Sequence, residues 1–125
     1  MSSDTGGRLR KAFHKLTATP EELVDDELDE MRVAHDCQAI DRVQDRERVT
    51  VYGHVKSVSL APRAGAPTLE AVLYDGSGVV TLVWLGRRQI IGIKPGAHLM
   101  AEGRVSCHDG RRIIYNPRYE LQVAA

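Results

Sequence analysis

The sequence lacks the features that mark extracellular and membrane-spanning proteins. Its two cysteines, Cys37 and Cys107, lie far apart without a CxxC pair, which indicates neither a disulfide framework nor a zinc site. No apolar run approaches the ~20 residues that a membrane span needs, and the first residues show no apolar signal segment. We therefore expect a cytoplasmic protein with reduced thiols.

Catalytic motifs are also missing. The chain has no nucleophile elbow, no phosphate-cradling Gly-Lys-Ser/Thr loop and no HExxH sequence. The DGSG segment at Asp75–Gly78 is too short for a calcium loop, and the acidic residues of Asp25–Glu30 are better explained as a solvated helix face. The sequence therefore predicts a protein that is not an enzyme and that needs no metal or other cofactor.

The formal net charge is zero, but it is unevenly divided along the chain. Residues 1–48 contain 8 Lys and Arg against 12 Asp and Glu, whereas residues 49–125 contain 9 against 5, so the two parts carry −4 and +4. An acidic leader before a basic region is typical of a chain whose basic part has an anionic partner. Ordinary variation of surface charge produces the same difference in a chain this short.

Five segments combine β-branched and apolar residues and are separated by turns that contain Gly or Pro. The clearest is DGSGVVTLVWLG at Asp75–Gly86, where a tight turn leads directly into a run that favours a half-buried strand. The others are RVTVYGHVKSVSL from Arg48, TLEAVLY from Thr68, HLMAEGRVS from His98 and RRIIYNPRYEL from Arg111. Because little room is left for helices between them, an all-β chain with a five-stranded OB-fold barrel is predicted, an architecture that commonly binds oligonucleotides.

A helical N-terminal extension is predicted over residues 1–38, followed by the OB-fold domain over residues 39–125. Arg8–Leu16 has apolar residues at helical spacing and a basic opposite face. Thr19 can cap a second helix that begins with Pro20 and two glutamates and runs to about Ala34. We expect these helices mainly to cover an apolar face of the barrel.

The alternation of the strands predicts which side chains point outward. With Trp84 and its alternating apolar neighbours in the core, the outer face would carry Tyr52, His54, Lys56, Val72, Tyr74, Thr81 and Val83. A surface that mixes aromatic, basic and small apolar groups suits base stacking. A face covered by the leader helices would have the same composition, and the alternation leaves both possibilities open.

Several short motifs resemble those of nucleic-acid-binding OB domains. They are GHV from Gly53, YDGSG from Tyr74, GIKPG from Gly92, EGRV from Glu102 and NPRYE from Asn116. The chain is most similar to small bacterial, actinobacterial-type OB-fold nucleic-acid-binding proteins, in which WLGRR and the NPRYEL ending recur. Its 13 Arg and 4 Lys suit a GC-rich bacterial genome. More distantly it resembles the OB wedge domain of a recombination helicase and the anticodon-binding OB domains of some aminoacyl-tRNA synthetases.

In OB domains the ligand crosses the face around the second and third strands, between two loops. Here the first loop offers Arg63 to a phosphate, the second offers Arg111 and Arg112, and the arginines after the third strand would extend the basic track. Each arginine is equally explained as a solubilising residue, and the two after the third strand can instead cap a short helix. The candidate contacts are Tyr52, His54, Lys56, Arg63, Tyr74, Thr81, Arg87, Arg88, Arg111 and Arg112.

The sequence therefore predicts a non-catalytic protein that binds single-stranded DNA or RNA with low sequence specificity. Arginines would attract the backbone, and bases would stack on Tyr52 and Tyr74. The alternative is a protein–protein interaction or oligomerisation module that uses the outer apolar residues Val72, Val79, Val83 and Leu85. A narrower hypothesis is that the acidic Glu21–Glu30 segment lies across the basic barrel and competes with nucleic acid.

Overall fold

The computed structural model describes residues 20–63 and 65–122. The predicted helix at Arg8–Leu16 and the capping residue Thr19 lie outside these residues. Within them no helix is both long enough and apolar enough to cross a membrane. The elements are α1 (Pro20–Ala34), a short 3-10 helix (Ile40–Arg42), β1 (Arg48–Leu60), β2 (Thr68–Tyr74), β3 (Val79–Leu85), β4 (His98–His108), β5 (Arg111–Tyr115) and β6 (Arg118–Gln122).

Five of the strands close into a barrel, which confirms the predicted mostly-β architecture. The long strand β1 pairs with β4 through Arg48–His54 and with β2 through His54–Leu60, so one strand joins both sides of the barrel. β2 pairs with β3, β5 pairs with β4, and the parallel β3–β5 pair completes the ring. The result is a closed, mixed five-stranded barrel consistent with an OB fold.

The last predicted strand, RRIIYNPRYEL, is two strands, so a sixth strand accompanies the five of the predicted barrel. Asn116 has a φ of 48°, and Pro117 has no N–H to give to a ladder, so pairing is interrupted at these residues. β5 pairs with Val105–His108 in the second half of β4, whereas β6 pairs with His98–Glu102 in the first half. β6 therefore extends the sheet beyond the closed barrel.

The core lies inside the barrel and includes Trp84 with its alternating neighbours Val80 and Leu82, as predicted. Trp84 is 5% exposed, as predicted, and its indole Nε1 donates to the carbonyl of Pro117 at 3.3 Å. Gly53 allows β1 to approach β2 closely, because a Cβ there would overlap the carbonyl oxygen of Tyr74.

Asp75 fastens the segment before β1 to the barrel. This side chain is 1% exposed, and its Oδ2 accepts from the backbone N–H of Ile40 at 2.8 Å. Its Oδ1 accepts from the N–H groups of Ser77 and Gly78 at 2.8 and 3.1 Å and from the Ser77 hydroxyl at 2.6 Å. The DGSG segment is thus a turn that also holds the 3-10 helix in place, a role that its sequence alone does not reveal.

Candidate nucleic-acid interface

The outer side of β2, β3 and β5, called the open face below, is the surface on which the sequence places a ligand. Strand pairing sets Val72, Thr81 and Ile113 in one row across it. Thr81 is 8% exposed and Val83 is fully buried, so their predicted exposure is wrong. The centre of the open face is therefore a floor of largely buried, mostly apolar side chains rather than a row of projecting groups.

Arg63 crosses this floor near one end. Its Nη2 donates to Oε1 of Glu70 at 3.2 Å, and its Nη1 donates to the hydroxyl of Tyr115 at 3.3 Å. Glu70 and Tyr115 flank Val83 in the neighbouring strands, so the bridge passes over Val83 and accounts for its burial. Arg63 is thus already paired with a carboxylate, which a phosphate oxygen can replace.

Tyr115 is the aromatic side chain that the open face presents most directly. It is 39% exposed, and the Arg63 guanidinium carbon lies 5.9 Å from the centre of its ring. Tyr115 is not among the candidate contacts predicted from the sequence. Its place on the open face follows from the parallel pairing of Tyr115 with Val83, which cannot be inferred from a single sequence.

The β4–β5 hairpin has the predicted tight turn, since Asp109 and Gly110 have φ values of 50° and 76°. Its two arginines, however, separate. Arg111 is exposed, whereas Arg112 is half-buried and its Nη2 donates to the carbonyl of Asp41 at 3.3 Å. Successive strand residues point to opposite sides, so only Arg111 faces the ligand surface and the expected paired clamp does not form.

Basic side chains lie at both ends of the open face. The parallel β3–β5 register places Arg111 near the Val79 end of β3, whereas Arg87 and Arg88 follow Leu85 at the other end and are exposed. Turns occupy the segment after β3, so the arginines do not cap a helix there. A seven-residue strand spans about 20 Å, so the basic ends are separated by several nucleotides of extended chain.

The apolar patch considered for a protein partner is not continuous. Val79 and Leu85 are 45% and 48% exposed, but they occupy opposite ends of β3. Val83 between them is fully buried and Val72 is half-buried.

Tyr52 lies under α1, so its predicted exposure for base stacking is wrong. It is 2% exposed and packs in a cluster with Leu28 of α1 and with Cys37. Its hydroxyl lies 3.2 Å from Nδ1 of His98, and its ring stacks on His35 with centroids 5.5 Å apart. We call the group Leu28, Met31, Cys37, Tyr52, Tyr74 and Met100 the covered cluster.

Tyr74 and Lys56 lie where the covered cluster meets the open face. The Lys56 Nζ is 4.6 Å from the centre of the Tyr74 ring, and the His54 ring meets Tyr74 edge-on at 5.6 Å. Burial raises the pKa of the Tyr74 phenol, and a hydrogen bond with Asp25 of α1 raises it further. Lys56 is exposed and Tyr74 is half-buried, so both remain available at the edge of α1.

His54 is half-buried between charged and aromatic neighbours. Burial lowers its pKa, the nearby His98 and Lys56 lower it further, and Asp25 opposes them. Its ring lies 6.1 Å from that of His98, and its Nδ1 is buried without a hydrogen-bond partner. Despite the neighbouring histidines, residues 20–63 and 65–122 contain no group of three or more His, Cys, Asp or Glu arranged to hold a metal ion.

Comparison with solved structures supports the OB fold. The chain is similar to RecG bound to a three-way DNA junction, with 24% identity and a TM-score of 0.57 over 66% of this chain and 12% of that one. It is also similar to the HINb domain of p204, with 12% identity and a TM-score of 0.58 over 73% of this chain and 49% of that one. It thus spans half or less of either structure. No protein-family model and no curated protein matches the chain.

Proposed function

We propose that this protein binds single-stranded DNA or RNA on the open face, without catalysis and with little sequence preference. The observation that carries the proposal is the arrangement of that face: an apolar floor with an exposed Tyr115 and cationic groups at both ends. The fold it shares with RecG, which was solved on a DNA junction, adds support at the level of architecture.

The cationic and the aromatic groups would contact different parts of the nucleic acid. Arg111 at one end and Arg87 and Arg88 at the other attract successive phosphates, while Arg63 exchanges its Glu70 partner for a phosphate oxygen. Bases then lie on the floor and stack on the Tyr115 ring and on the accessible edge of Tyr74. His54 and Lys56 flank the second of these stacking positions.

Low sequence preference follows from the same groups. Aromatic faces accept any base, and guanidinium groups that contact phosphates carry no sequence information. The proposal of a non-catalytic role is supported by Asp75, which is the buried carboxylate among residues 25–63 and 65–122. Four donors within the protein already occupy it.

The test compares two exposed arginines on different parts of the barrel. Fluorescence anisotropy would follow labelled single-stranded DNA and RNA of matched sequence binding to the wild-type chain, Arg111→Ala and Arg104→Ala. Arg104 is the control because it lies on β4 and donates to the carbonyl of Arg46. We expect Arg111→Ala alone to weaken binding, by about fivefold, as loss of one phosphate contact does.

Equal effects of the two substitutions would contradict the proposed face. No binding of either polymer at low salt, together with salt-insensitive self-association, would instead support the protein–protein alternative. A difference between the DNA and RNA titrations would identify the preferred polymer.

A further inference from the structure

We propose that α1 is a displaceable cover over part of the nucleic-acid surface. A bound nucleic-acid strand that displaces α1 would gain contacts with Tyr52, Tyr74, His54 and His98. This rests on the function proposed above and concerns the regulation of the same surface. Four observations support it: the single buried side chain among residues 25–34 of α1, the groups beneath the helix, its charge, and its position beside the open face.

Of the α1 side chains that the structure describes, those of residues 25–34, only Leu28 is buried. Leu28 is fully buried, whereas Asp25 and Met31 are half-buried and Val33 is 68% exposed. The barrel has its own, separate core around Trp84, to which none of the described side chains of α1 belongs. Removing the helix would therefore expose the covered cluster while leaving the barrel packed.

The surface beneath α1 has the composition of a stacking platform rather than of a protein core. Two phenol rings and two imidazole rings lie together there. The Tyr52 hydroxyl is hydrogen-bonded with Nδ1 of His98, and the His54 ring meets the Tyr74 ring edge-on. Nδ1 of His54 is buried without a partner, which is an unfavourable arrangement that solvent or a ligand would relieve. Rings that carry polar atoms bind bases by stacking and by hydrogen bonding.

The charge of α1 matches that of the ligand it would exclude. Seven of its fifteen residues are Asp or Glu. One of them, Asp25, lies against the turn after Tyr74, where its carbonyl oxygen is 3.5 Å from the Cβ position of Gly76, and it acts electrostatically on Tyr74 and His54. A carboxylate therefore already occupies the place beside these groups where the phosphate of a bound strand would lie.

The covered cluster and the open face are continuous. Tyr74 belongs to the covered cluster, and in the β2–β3 ladder it pairs with Val79, at the Arg111 end of β3. A nucleic-acid strand lying along β3 thus reaches the edge of α1 without leaving the barrel surface. Displacement of α1 would lengthen the site in that direction.

Cys37 provides a direct reporter of α1 displacement. Its thiol is 9% exposed and packs in the covered cluster, whereas Cys107 is exposed. In the full chain with Cys107→Ser, the rate of Cys37 labelling by a thiol-reactive disulfide reagent would be measured with and without a saturating single-stranded oligonucleotide. We expect the oligonucleotide to raise that rate about threefold or more, because it shifts the population toward the uncovered state.

Leu28→Ala tests the cover from the other side. Loss of the anchoring side chain raises the uncovered fraction, so we expect tighter oligonucleotide binding by about threefold or more. Val33→Ala is the matched control on the same helix, since the Val33 side chain is 68% exposed. This substitution should change neither the uncovered fraction nor the oligonucleotide affinity. Trp84 fluorescence reports whether each variant keeps a folded barrel.

The outcomes separate the cover from the proposed function. Binding that leaves Cys37 labelling unchanged and is not tightened by Leu28→Ala would overturn the cover and keep the function. Binding by Leu28→Ala but not by the wild-type chain would support both. No binding by either folded protein would overturn both.

Discussion

Asp75 shows how one buried carboxylate can hold two parts of the chain together. It is the acceptor for the N–H of Ile40 and for two N–H groups of its own turn. The residue types of DGSG predict the turn, but they contain no sign of the distant partner. The contact with Ile40 depends on the closed barrel and could not be obtained from local sequence.

Asp75→Ala is expected to lower the free energy of unfolding by about 2–4 kcal/mol, because it leaves several backbone donors without an acceptor, Ile40 N–H among them. Urea denaturation followed by Trp84 fluorescence measures this change. Glu27→Ala, an exposed carboxylate of α1, is the control and should shift the midpoint little. Equal midpoints for the two variants would show that the Asp75 contacts add no net stability.

His54 should make stability depend on pH in the mildly acidic range. Its pKa is lowered by burial and by His98 of β4 and Lys56 of β1, with Tyr74 of β2 against its ring and only Asp25 of α1 opposing. The unfolded chain, with its histidine pKa near 6.5, therefore binds the proton more readily than the folded protein does.

The His54 contribution is consequently complete above about pH 6.5 and is lost as the pH falls through the lower folded pKa. Urea midpoints measured between pH 7.5 and about 5.5 should fall for the wild-type chain and fall less for His54→Leu. A steeper decline in the variant would show that His54 is not the group responsible.

At the scale of the elements, the sequence predicts strands well where turns and alternation agree. β1 and β2 have the expected limits, Arg48–Leu60 and Thr68–Tyr74, because each lies between turn residues and keeps one apolar side. The final strand is different because its interruption depends on the left-handed Asn116, whose Oδ1 accepts from the N–H of Leu85. That contact joins residues far apart in the chain.

Alternation also identifies which side chains share a face without showing what covers it. Tyr52 has the outward position predicted from β1, yet α1 buries it. The accessibility of Tyr52 is therefore determined by an element outside its own strand. Tyr115 is not among the predicted contacts, and its pairing with Val83 across the parallel β3–β5 pair cannot be inferred from residue spacing.

β5 and β6 offer a matched comparison of two tyrosines. Tyr115 and Tyr119 are 39% and 40% exposed, but only Tyr115 lies on the open face, whereas Tyr119 packs edge-on against Trp84. Tyr115→Ala should weaken single-strand binding by the ~1–3 kcal/mol of one base–aromatic stack. Tyr119→Ala should leave the affinity unchanged in the same anisotropy titration, and the reverse pattern would move the site to β6.

For the whole molecule, the net charge of zero does not prevent salt-dependent binding, because the open face carries its own cations. With about four phosphate contacts on a single strand, log K should fall against log salt with a slope of about −3. Titrations at several salt concentrations measure the slope. A slope near zero would mean that the arginines at the ends of the face do not contact the backbone.

Barrel closure has a consequence for how the chain folds. The ring is completed by β1 with β4 and by β3 with β5, pairs whose partners are separated by long stretches of sequence, such as Arg48 opposite Arg104. Such non-local pairing makes folding slow, on the order of milliseconds to seconds, because loop entropy is lost before the contacts form. During synthesis, the outer edges of β1 and β3 therefore remain unpaired until the chain up to Tyr115 has emerged from the ribosome. Only then can the barrel close.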